Sequence, residues 1–121
     1  MTTETITAEI IDTAERSIAR ADTKRKELAE LMAADFFHLD TYSLRPVLGL
    51  QATALPWRHV LARIQTGLTP TEALRDVRAE QTRQLLSMSE SQSTDALVNE
   101  TERMQREAAR NFLRDTEYLA K

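Results

Sequence analysis

His38 and His59 are the only imidazoles in a chain of 121 residues that has no cysteine, and they bound the chemistry available to it. A nucleophilic triad needs a histidine beside a serine or cysteine, oriented in turn by an acid. No Gly-x-Ser-x-Gly stretch is present to lift a serine toward either ring. A di-metal centre in a helical bundle draws Glu-x-x-His motifs from two facing helices. The nearest match is a single aspartate variant, Asp35-Phe36-Phe37-His38, while Glu27 and Glu30 sit three apart in a charged run. Phosphate-cradling loops need clustered glycines, and the whole chain holds two. The expectation is a protein that is not an enzyme, with no catalytic residue, no metal ligand and no cofactor.

The remaining chemistry is cationic and aromatic. Over residues 57–86 a helix, a glycine-containing turn and a capped helix follow one another in the outline of a helix-turn-helix. Arg58, Arg63, Arg75, Arg78 and Arg83 are the side chains it would offer to phosphates. Asp76 and Glu80 lie on the second of those helices and would repel them. The net charge is −3, with −4 carried by residues 1–40, +3 by 41–86 and −2 by 87–121. A basic middle that weak does not imply nucleic acid on its own, so a small DNA-binding regulator is the second reading of this sequence. Arg103, Arg106, Arg110 and Arg114 make a further basic stripe, but Glu100, Glu102 and Glu107 interleave with it, as on a solvated face.

The elements that must carry these side chains are helices. Two glycines and three prolines are too few to turn an all-β chain. The expected fold is all-α and a single domain, an elongated bundle or hairpin of about four to five helices. Long N- and C-terminal helices flank a compact middle of short ones. A long helix is expected over 6–37, where Ile11, Ala14, Ile18, Ala21, Leu28 and Met32 alternate three and four apart. Residues 39–68 form the apolar middle, read as short helices at 43–52 and 56–66, with Pro56 at a first helical position and Gly67 just past an end. Thr69-Pro70-Thr71-Glu72 is a capping box opening a helix over 69–92. Poor helix formers from Ser87 to Thr94 favour a break before a last helix over 94–120.

The apolar stripes of the first, fourth and fifth helices are narrow, about two positions in seven, and Arg25, Gln81 and Thr101 stand in their seams. Stripes of that width suit coiled-coil contacts. Ordering long helices costs entropy that a thin stripe barely offsets. The first functional reading is therefore a non-enzymatic assembly or interaction protein, pairing with itself (as a dimer or higher) or with another protein. Its expected contact residues are Ile11, Ile18, Arg25, Leu28, Met32, Phe36, Phe37, Met104 and Phe112. A small structural or accessory component of a phage or mobile element would have this character. The most apolar stretch is broken by charges, so no membrane span is expected. The N-terminus has no leader-like pattern, and a cytoplasmic or virion-like location follows.

Overall fold

Thr2 opens the first helix: its hydroxyl accepts the Thr5 amide at 3.2 Å and its carbonyl accepts the Ile6 amide at 3.0 Å, as an N-cap residue should. The computed structural model describes residues 2–34, 41–87 and 96–120, with only the backbone of 41–43 and 96–98. Those residues form four helices: α1 (Thr3–Ala34), α2 (Thr41–Gln65), α3 (Pro70–Ser87) and α4 (Ala96–Asp115). A short 3-10 turn, Glu117–Leu119, follows α4. No strand occurs among the described residues. The fold is an all-α helical bundle with a long N-terminal helix.

The turn between α2 and α3 is built by local sequence. Gly67 has φ +111°, a conformation that side chains with a Cβ rarely adopt. The Leu68 amide reaches back to the Arg63 carbonyl at 3.2 Å and the Gly67 amide to Ile64 at 3.0 Å, the paired bonds of a Schellman ending. Two residues on, the Thr69 hydroxyl accepts the Glu72 amide at 3.2 Å, and α3 starts at Pro70.

Two sequence expectations are corrected. The middle is not two short helices: α2 is one helix of 25 residues with Pro46 and Pro56 inside it. An interior proline removes a backbone bond and crowds the preceding turn, yet here the packing outweighs it. α2 touches α1, α3 and α4, and Ala54, Pro56, Trp57 and Val60 are all buried. The last helix is also shorter than expected: it ends at Asp115, and the chain tightens into the 3-10 turn, where the Leu119 amide bonds the Thr116 carbonyl at 3.0 Å. The Ser-rich stretch expected to break the chain before α4 falls at 88–95, outside the described residues.

Cross-helix contacts fix the topology. Gln51 donates to the Ala21 carbonyl at 2.8 Å and Arg58 to Asp22 at 2.9 Å, tying the middle of α1 to α2. Arg45 pairs with Glu100 at 3.5 Å, and Trp57 meets Phe112 edge to face at 5.1 Å between ring centroids. Both pairs advance along α2 and α4 together, so these two helices run parallel. The core gathers Ile10 and Ala14 from α1, Trp57 and Val60 from α2, Ala73, Leu74 and Val77 from α3, Phe112 from α4, and Leu119 beyond it.

Candidate functional site

That core occupies one half of the bundle: the first turns of α1 and α3, the last turns of α2 and α4, and the 3-10 turn. The opposite half is differently made. Leu31 and Met32 near the end of α1, Leu48 and Leu55 on α2, and Leu86 near the end of α3 are all exposed, Leu86 by 83%. Single exposed leucines are ordinary on a protein surface. Leu31, Met32, Leu48 and Leu86 stand away from the core cluster, while Leu55 lies two residues from the buried Trp57, and Tyr118, also exposed, follows α4. Large apolar side chains exposed in such number on a small bundle are of the kind that marks a contact surface.

Between these halves α2, α3 and α4 enclose a groove of about 320 Å³. Leu48, Leu55 and Pro56 line it from α2, and Met104, Ala108 and Ala109 from α4. Carboxamides dominate its polar lining: Gln51, Gln81, Gln84 and Gln105. α2 can serve both core and groove because it is apolar on two faces. Trp57, Val60, Leu61 and Ile64 turn to the core, while Leu48, Ala52, Leu55 and His59 border the groove. Gln81 is buried, with 5% exposure, and has no hydrogen-bond partner among the described residues. The Nδ1 atom of His59 is enclosed without a hydrogen bond and lies 3.8 Å from Glu80.

No protein-family model, no curated protein and no solved structure matches this chain. The assignment of its surfaces therefore stands on their geometry.

The residues expected to make contacts are dispersed. Ile11 and Leu28 are half-buried, and Ile18 packs at the edge of the core. Arg25 stays in solvent and pairs with Asp22 at 3.4 Å. Met32 is exposed and Met104 lines the groove. Phe36 and Phe37 lie outside the described residues. Phe112 is corrected: it is 4% exposed and seated against Trp57 in the core, which leaves it no free surface. Of the seam residues only Gln81 is buried, since Arg25 and Thr101 are exposed. Gln51, Gln84 and Gln105 carry no sequence signal, because spacing places them on helices without showing which faces converge, and Gln81 shows only as a polar residue in an apolar seam.

The cations proposed for phosphate contact are mostly spent within the chain. Arg58 binds Asp22 at 2.9 Å. Its hydrogen bond, reinforced by its charge, holds the Asp22 carboxyl below the usual range. Arg63 bridges Asp76 and Glu80, and its hydrogen bond to Asp76 raises the guanidinium further above its ordinary value. Arg78 donates to the Leu113 carbonyl at 2.7 Å and to the Thr116 hydroxyl. Arg75 and Arg83 alone of the five are exposed with no ion pair among the described residues. On α4, Arg103 hydrogen-bonds Glu100 at 2.7 Å and, with Arg45, keeps that carboxyl below its usual range. Among the described residues no three His, Asp or Glu side chains converge as a metal would require, and no helix is long and apolar enough to cross a membrane.

Proposed function

We propose that this chain is a non-enzymatic assembly protein, and that it pairs with a second copy or docks on another protein through the half of the bundle remote from its core. The observation that carries this reading is the exposure of Leu31, Met32, Leu48 and Leu86, with Leu55 exposed nearer the core. Burial of apolar area is worth about 25 cal/mol per Å², so covering such side chains is a driving force for association. Long helices supply the surface: α1 has 32 residues, and its C-terminal third carries exposed apolar side chains rather than core ones. A structural or accessory component of a phage or mobile element is the kind of protein this describes.

The decisive experiment is the solution mass over a wide range of concentration, for the full chain and for Leu86→Glu combined with Met32→Glu. The expected result is a dimer or larger species that dissociates in the double variant while helicity is kept. A protein that stays monomeric throughout, and whose stability is indifferent to both substitutions, would remove the support for self-association.

A further inference from the structure

The groove between α2, α3 and α4 holds a group that the assembly reading does not use. Gln81 is 5% exposed, its side chain borders the groove, and it has no hydrogen-bond partner among the described residues. Among the described residues the enclosed side-chain atoms without a partner belong to His59 and Arg106, not to Gln81. The Gln81 carboxamide therefore opens onto the groove, where an entering group can replace water as its partner. Its N–H₂ and C=O lie side by side, one donating and one accepting. Groups that satisfy both together include another carboxamide and the cis-amide edge of a lactam.

Size and polarity narrow the occupant further. A volume of about 320 Å³ falls at the lower end of small-molecule pockets, roughly 300–1,000 Å³. Leu48, Leu55 and Met104 give the walls an apolar character, and methionine adapts its shape to a ring or chain. The wall offers little charge. Arg58 is held by Asp22 at 2.9 Å, and His59 faces Glu80, whose carboxylate is engaged by Arg63. A ligand carrying net charge would find no free counter-charge among the described residues that line the groove.

We propose that the groove binds a neutral small molecule that has an apolar body of ring size and one carboxamide or lactam edge, and that this edge pairs with Gln81. Leu48 and Leu55 belong to both surfaces, whereas Leu31, Met32 and Leu86 do not line the groove, so substitutions at Met32 and Leu86 test the assembly reading without touching this one.

The test uses benzamide and ethylbenzene as probes, titrated into the full chain and followed by the methyl signals of Leu48, Leu55 and Met104 and the side-chain amide of Gln81. Benzamide is expected to shift these signals saturably. Gln81→Leu should weaken benzamide about tenfold, as loss of one buried amide pairing predicts, and leave ethylbenzene within about threefold. Leu55→Trp keeps Gln81 but fills the groove mouth, and it should abolish binding of both probes even if Gln81→Leu fails to fold. The Leu86→Glu and Met32→Glu variant should bind benzamide as the parent does. The proposal is overturned if benzamide leaves the groove signals unmoved, or if Gln81→Leu weakens both probes alike. It is also overturned if the groove signals follow protein concentration instead of benzamide, since a second copy would then be the occupant.

Discussion

Arg78 closes the end of a helix other than its own: its guanidinium, on α3, donates to the Leu113 carbonyl in the last turn of α4 at 2.7 Å. The final carbonyls of a helix have no partner within it, and a cation there also meets the negative end of the helix dipole. The same guanidinium reaches the hydroxyl of Thr116, a residue with no exposed surface. Arg78→Ala is expected to lower stability by about 1–3 kcal/mol, read as a shift in the urea midpoint. Arg75→Ala and Arg83→Ala, at exposed positions, should change it by less than about 0.5 kcal/mol. Equal effects from all three would show that the bond does not hold α4 in place.

The edge-to-face pair of Trp57 and Phe112, 5.1 Å apart at 75° between planes, joins the parallel helices α2 and α4 inside the core. Phe112→Ala should cost about 3–5 kcal/mol, a large share of the roughly 5–15 kcal/mol that holds a domain folded. Trp57 is the sole tryptophan, so its fluorescence reports the change directly. An emission spectrum and urea midpoint like those of the parent would place Phe112 outside the core.

Pro46 lies inside α2 with its ring exposed. Alanine there restores an amide that can donate to the preceding turn, and no packing is lost. Pro46→Ala is expected to raise stability by about 1–3 kcal/mol and to increase helical circular dichroism. A fall in either would mean that the proline shapes α2 instead of merely being tolerated by it.

Asp22 is held below the ordinary carboxylate range, chiefly by its hydrogen bond from Arg58. A carboxyl depressed in the folded chain stabilises it above the unfolded value and loses that contribution as pH falls through the folded one. The parent should therefore be more stable than Asp22→Asn at pH 7, with the gap closing as pH falls below the ordinary carboxylate range. Urea titrations of both proteins across that interval check it. A gap that is constant with pH would assign the effect to something other than this ion pair.

What can be read along the chain and what cannot divide at Gly67 and Arg63. The turn around Gly67 was legible because its cause is local. Only glycine accepts φ +111° cheaply, and Thr69 caps the helix that begins one residue later. Arg63 is four residues from the same turn, yet its role was not legible. It looked like a phosphate contact until α3 brought Asp76 and Glu80 against it. Gln81 stood out as polar in an apolar seam, but its near-complete burial beside a groove depends on side chains from α2 and α4.

The all-α class and the start of α3 were thus determined by the sequence itself, through scarce glycine and proline, apolar spacing at three and four, and a capping threonine. These are short-range effects, fixed by each residue and its near neighbours on the backbone. The passage of α2 through Pro46 and Pro56, the commitment of Phe112 to the core and the use of Arg78 as a cap were decided only in three dimensions. Each is a balance between a local cost or freedom and partners far along the chain, such as Thr116, which lies 38 positions beyond Arg78. Spacing along one helix carries no record of which distant face will come to cover it.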